Sequence, residues 1–187
     1  MRAFFCVEID DSLKQSLHQI SRPLHKTAAN VSWVKSENLH ITLKFLGDID
    51  SSLVGHLRQV SDEVVKLTQP FTYALDRLGA FPDERKPRVI WIGCSQLPTQ
   101  LIELHSMLDS QLENMGFQRE RHFEAHITLG RVKEDNKGRF EDLNERFQKI
   151  GNFQFQSTAT GLTLMESQLT PHGPIYTPLF RLPFVAK

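Results

Sequence analysis

The pattern of periodicities in this chain predicts an α+β fold with mostly antiparallel sheets. Helix-spaced and strand-like segments interleave, yet several strands follow one another through links too short for a crossover helix. The tetrapeptide His-Ile-Thr-Leu occurs twice, at 40–43 and 126–129, which suggests two similar lobes in a pseudo-two-fold arrangement, each donating one copy. No linker, low-complexity tract or separable second unit interrupts the sequence.

The elements can be justified in order. RAFFCVEID (2–10) is short and rich in aromatic and apolar residues, as a strand is. Leu13, Leu17 and Ile20 then recur at helix spacing, with Asp10 or Asp11 as N-cap. VSWVKS (31–36) and LHITLKFLG (39–47) read as strands around the loop SENL. Helix spacing returns from Ser51 to about Leu67, with Leu53, Leu57, Val60, Val64 and Leu67 on one face. FTYALDRLGAF (71–81) and RVIWIG (88–93) follow as strands, separated by PDERKP, a charged turn with a proline at each end. In the second half, Leu101, Leu104, Leu108 and Leu112 define a helix over 98–115 that stops at Gly116. AHITLGRV (125–132) is the next strand, and RFEDLNERFQKI (139–150) is a shorter helix opened by the polar loop KEDNKG. FQFQSTATGLTLMESQL (153–169) alternates as one long strand or two joined strands. YTPLFRLPF (176–184) closes as a proline-interrupted strand suited to a sheet edge.

Composition bounds the function. With 187 residues, 40% of them apolar, the chain can bury one real core. Lys plus Arg and Asp plus Glu both total 22, so the formal net charge is zero. A neutral total supplies no long-range attraction to nucleic acid. Phosphate recognition must then be local, which argues against gripping long duplexes by charge alone. No stretch is long and apolar enough to span a membrane, and the first residues lack the length and cleavage site of a signal peptide. Cys6 and Cys94 form no metal or redox motif and read as reduced core residues of a cytoplasmic protein.

The repeated tetrapeptide carries the chemistry. Side chains alternate along a strand. His40 and Thr42 therefore share one face, with Ile41, Leu43 and Phe45 on the other; His126 and Thr128 likewise oppose Ile127 and Leu129. If the two strands meet at a common groove, two imidazoles and two hydroxyls converge. A histidine near its ordinary pKa of about 6.5 holds or gives up a proton near neutrality. One neutral and one protonated imidazole can serve a phosphoryl displacement as base and acid. The threonine hydroxyls suit donation to non-bridging phosphoryl oxygens. A strained cyclic phosphodiester is a natural substrate, needing no metal and no covalent intermediate. A metal reading is weaker, because no Cys-x-x-Cys or His-Glu-x-x-His occurs and no third ligand stands at a usual spacing.

Strict alternation puts Arg131 on the face of Ile127, away from His126; a bulge at Gly130 would turn it toward the phosphate as a clamp, and the residues alone leave both readings open. Phe45, Trp33 and Tyr176 are candidate surfaces for base stacking, set against ordinary core roles. His18, His25, His56 and His105 read as surface or boundary residues of helices, and His122 and His172 as surface or loop residues.

The paired His-x-Thr-Leu motifs resemble the two-histidine (2H) phosphoesterases. The flanks WVKSENLHITLKFLG, LGAFPDERKPRVIWIG and HFEAHITLGRV resemble the RNA 2′,3′-cyclic phosphodiesterases formerly described as 2′-5′ RNA ligases, over nearly the whole chain. The resemblance implies one bilobal α+β domain over 1–187: two mostly antiparallel sheets, helices outside, and the motifs facing each other across a central cleft. It implies metal-independent, cofactor-free hydrolysis of 2′,3′-cyclic phosphate RNA ends to 2′-phosphomonoesters. By motif position His40 carries over as proton donor, His126 as the base, Thr42 and Thr128 as phosphate donors, and Arg131 as the family's arginine. Expected with it are a cytoplasmic monomer without an obligate protein partner, and RNA ends, tRNA halves among them, as partners. Alternatives are 2′-5′ ligation of tRNA halves, a phosphodiesterase of small cyclic nucleotides, and a non-catalytic RNA-end binding module.

Overall fold

A computed structural model describes residues 1–120, 122–133, 141–171 and 173–186. The chain runs β1 (Arg2–Glu8), α1 (Asp11–Ser21), β2 (Val31–Trp33), β3 (His40–Asp48), α2 (Val54–Lys66), β4 (Phe71–Leu75), β5 (Arg77–Phe81), β6 (Val89–Gly93), α3 (Thr99–Asn114), β7 (His126–Val132), α4 (Glu141–Ile150), β8 (Phe155–Ala159), β9 (Gly161–Thr170) and β10 (Gly173–Pro183). The helix starts and stops follow the side chains: Asp10 accepts from the Leu13 N–H at 2.7 Å, and Gly116 takes the left-handed φ of +91° just past α3. No helix among the described residues is long and apolar enough to cross a membrane.

Every strand pairing among the described residues is antiparallel, as expected. The main sheet runs β10-β9-β1-β3-β7-β6-β5 with β2 beside β7, and β4 and β8 form a separate two-stranded sheet. At the centre, β3 and β7 share a single bonded pair, Ile41 with Ile127. These are the same position of the two motifs, so a local two-fold axis passes between them. Beyond that pair the strands part, and the two halves of the sheet diverge. Helices α1 to α4 all drop apolar residues, among them Leu17, Leu57, Leu104 and Leu143, onto the core-facing side. On the opposite face, Phe4, Cys6 and Met165, with Tyr176 against them, form a small separate apolar floor.

Several expectations need correction. FTYALDRLGAF is two strands in different sheets, broken at Asp76, whose carboxylate accepts from the Ser95 N–H and hydroxyl, each at 2.7 Å. FQFQSTATGLTLMESQL takes the second of its two expected forms, two strands, β8 and β9, which lie in different sheets. SENL holds a short 3₁₀ turn over Ser36–Asn38. Leu67 lies past the end of α2 and is 75% exposed, while Val65 and Ser61 take buried positions instead. His105 is buried, not peripheral: it stacks on Phe123 at 3.9 Å. The proline-interrupted β10 does occupy a sheet edge. The loop 134–138, the first residues of the expected helix and His172 lie outside the described residues.

The most consequential departure is a bulge in each motif strand. Thr42 pairs with Cys6 and Lys44 with Phe5, so Leu43 is skipped; Thr128 pairs with Trp91 and Gly130 with Ile90, so Leu129 is skipped. Two successive residues then face the core: Leu43 and Lys44 in β3, Leu129 and Gly130 in β7. Lys44 is thereby 3% exposed, and its Nζ donates to Asp109 and to the Gln118 carbonyl, both at 2.5 Å. Asp109 also accepts from the Glu120 N–H at 3.0 Å. This buried ion pair ties β3 of one half to α3 and to the segment leading into β7 of the other. At the matching place in β7 no side chain fits, because a Cβ on Gly130 would lie 2.8 Å from the Trp33 ring and from Val31.

Candidate functional site

Antiparallel register continued one residue either way from Ile41 and Ile127 sets His40 across from Thr128 and Thr42 across from His126. The parting of β3 and β7 at this point opens a cleft. All eight residues expected from the sequence line it: His40, Thr42, His126, Thr128, Arg131, Phe45, Trp33 and Tyr176. Ser32, Val34, Lys35, Asn38, Gly173 and Pro174 complete the wall.

The two imidazoles are held alike. His40 Nδ1 lies 2.7 Å from the Asn38 carbonyl, and His126 Nδ1 lies 2.7 Å from the Glu124 carbonyl, each two residues upstream. A carbonyl can only accept, so each Nδ1 carries the hydrogen and each Nε2 holds the lone pair when the ring is neutral. His40 Nε2 meets the Thr42 hydroxyl at 3.1 Å. Asn38 is itself anchored, its side-chain amide donating to the Pro174 carbonyl at 2.9 Å. Aromatic rings fix both imidazoles: Phe4 stacks on His40 at 4.8 Å with Tyr176 edge-on at 5.3 Å, and Phe81 stands edge-on to His126 at 5.0 Å. Burial in these surroundings pushes His40 down to about 4, against the opposing pull of the Asn38 carbonyl, and the neighbouring His126 lowers it further. Burial also lowers His126, opposed by the Glu124 carbonyl.

The bulges place the residues that follow each motif. Arg131 comes back to the face of His126 and Thr128 and lines the cleft, which resolves the ambiguity left by alternation. Phe45 occupies the equivalent place in β3. The expectation that it shares the core face of Ile41 and Leu43 is overturned: it is 57% exposed and lines the cleft. The local two-fold therefore sets a guanidinium on one side and a phenyl ring on the other. Trp33 lines the cleft too, but His25 already stacks on it at 4.3 Å. Sequence reading missed Phe4, Phe81, Asn38 and Lys35. Only the partner-strand register reveals the first two, and no local signal marks a backbone carbonyl as a histidine anchor. His122 is exposed and outside the cleft lining, and Cys6 lies buried in its floor. Among the described residues, no three His, Cys, Asp or Glu side chains gather as a metal-binding group.

Comparison with known proteins adds a second line. The family described as LigT like Phosphoesterase matches the chain twice in tandem, over residues 7–91 and 92–176, one motif in each match. A protein of Archaeoglobus fulgidus named RNA 2′,3′-cyclic phosphodiesterase is 36% identical over 183 residues, covering 96% of this chain and 98% of its own length. One of the same name from Methanothermobacter thermautotrophicus is 34% identical, covering 97% and 99%. Among solved structures, Escherichia coli LigT complexed with 3′-AMP superposes with a TM-score of 0.77 at 28% identity, over 99% of this chain and 98% of that one. A Thermus thermophilus protein, TT0787, shares the fold with a TM-score of 0.81 at 23% identity, over 98% of both chains.

Proposed function

The chain belongs to the LigT-like phosphoesterase family, and from that premise we propose that it hydrolyses 2′,3′-cyclic phosphate ends of RNA to 2′-phosphomonoesters by paired-histidine acid–base catalysis without a metal ion. One observation carries the reading. Both imidazoles commit Nδ1 to a backbone carbonyl, leaving two Nε2 atoms for proton transfer in one cleft that also holds two threonines and an arginine. The names of the relatives support the substrate class.

The chemistry balances with these groups. The base His126 takes a proton from water at Nε2 while the water oxygen bonds to phosphorus. The phosphorus–O3′ bond breaks, and His40, protonated at Nε2, gives its proton to O3′. Thr42, Thr128 and Arg131 hold the non-bridging oxygens as charge builds on them. Motif position assigns His40 the acid role, although burial makes it hard to protonate in the free protein. The substrate's own negative charge resolves this, because an anion beside the ring favours the imidazolium. Phe45 offers its exposed face to the terminal base.

The test is incubation with a nucleoside 2′,3′-cyclic phosphate in excess chelator, with identification of the product. Expected are the 2′-phosphate and its near-complete loss with either His40→Ala or His126→Ala. Turnover that requires added metal, a 3′-phosphate product, or activity surviving both substitutions would each overturn the proposal. Adding an RNA with a 5′-hydroxyl end tests ligation in the same assay.

A further inference from the structure

Beside the cleft lies a second hollow, between the end of α1, the 3₁₀ turn at Leu24–Lys26 and α4. His18, Arg22, His25, Lys26 and Arg146 line it, and among the described residues no carboxylate does. Arg146 is partly spent: it reaches Asp142 at 3.3 Å and donates to the Pro23 carbonyl at 3.1 Å. Arg22 and Lys26 are exposed, and among the described residues neither has an ion-pair partner. In a chain whose charges sum to zero, this is a local concentration of positive charge.

The hollow adjoins the cleft through one ring pair. His25 stacks on Trp33 at 4.3 Å with 22° between the planes, and His18 stands edge-on to His25 at 6.1 Å. Trp33 is at the same time a wall of the cleft, with Lys35 and Arg131. A surface thus leads from the phosphate-facing arginine across stacked rings to a cluster of exposed cations. Aromatic faces interleaved with cations suit a single-stranded nucleic acid, whose bases stack while its phosphates track the charge. An acidic protein surface would use the cations but has no reason to follow the rings into the catalytic cleft.

We propose that this basic hollow binds the sugar–phosphate backbone of the RNA strand 5′ to the cyclic phosphate, so that oligonucleotide ends are better substrates than mononucleotides. The inference rests on the function proposed above. Its test compares kcat/KM for a nucleoside 2′,3′-cyclic phosphate and for a short oligoribonucleotide ending in the same cyclic nucleotide, over a series of salt concentrations. The enzymes are the unaltered protein, Arg22→Glu, Lys26→Glu, and Lys66→Glu on α2 as a control of equal charge change.

The expected result is an oligonucleotide preference that Arg22→Glu and Lys26→Glu each reduce about three- to tenfold at low salt. Each should also make the log–log salt slope shallower by about 0.7. The nucleoside rate, which reports an intact fold and cleft, should stay the same, and Lys66→Glu should change neither. No oligonucleotide preference, variants that leave it untouched, or an equal effect of Lys66→Glu would overturn the inference while leaving the proposed activity standing. Failure to hydrolyse the nucleoside substrate would instead remove the activity itself, and this inference with it.

Discussion

Substituting His40→Asn removes an imidazole that titrates while leaving an amide able to donate to the Asn38 carbonyl, which Nδ1 holds at 2.7 Å. In the folded protein His40 is pushed down to about 4, chiefly by burial against Phe4 and Tyr176. In the unfolded chain it returns to about 6.5. At about 1.36 kcal/mol per pH unit, that gap corresponds to about 3 kcal/mol. The sign follows from which state binds the proton. Below pH 6.5 the unfolded chain takes it up first, so stability is complete above that pH and is lost as the pH falls toward 4. By pH 5 the loss should be about 2 kcal/mol. His40→Asn lacks this pH dependence, so the difference between the two proteins isolates the contribution of His40 from that of groups far from it. Urea unfolding of the two proteins from pH 7.5 to 4.5 measures the difference. The unaltered protein should lose about 2 kcal/mol relative to the variant between pH 7 and 5, and inorganic phosphate in the cleft should reduce that loss. A stability difference that stays flat across this range would refute the argument that burial holds the ring neutral.

Because both imidazoles lie below their ordinary value in the free protein, kcat/KM for a cyclic nucleotide should peak below pH 6.5. The kcat optimum should lie higher, since the bound phosphate raises the histidines; coincident optima at alkaline pH would contradict this. Lys44→Ala removes the buried partner of Asp109, leaving that carboxylate only the exposed Arg119 at 3.8 Å, and should cost roughly 3–5 kcal/mol in urea unfolding. Lys44→Met combined with Asp109→Leu should recover most of that loss. Phe45→Ala should raise KM for a cyclic nucleotide by about 1–3 kcal/mol, or roughly 5- to 150-fold, with kcat nearly unchanged; measured kinetic constants that do not move would return Phe45 to a bystander.

Much of the site could be read from four repeated letters. His40 with Thr42 and His126 with Thr128 share a face because side chains alternate along any extended strand, and this needs no partner strand. The core faces of α1 and α3 were equally legible, since Leu13 and Leu17, and Leu101 through Leu112, follow the helical repeat and are buried accordingly. Type and place narrowed the α1 cap to Asp10 or Asp11, and the bond from the Leu13 N–H selects Asp10.

Where alternation fails, the cause lies in another part of the chain. Phe45 and Lys44 exchange faces because β1 pairs with β3 out of step at Leu43, and Arg131 reaches the cleft because β6 pairs with β7 out of step at Leu129. A bulge is a mismatch between two ladders, so neither strand alone encodes it. His105 looked peripheral on its helix until Phe123, from a later segment, covered it. The sequence by itself determined which residue types stand on each motif strand and that there are two such strands. Tertiary structure decided that Ile41 meets Ile127, that the strands part there into a cleft, and that a guanidinium and a phenyl ring flank it. Those outcomes depend on hydrogen bonds and packing between residues far apart in the chain.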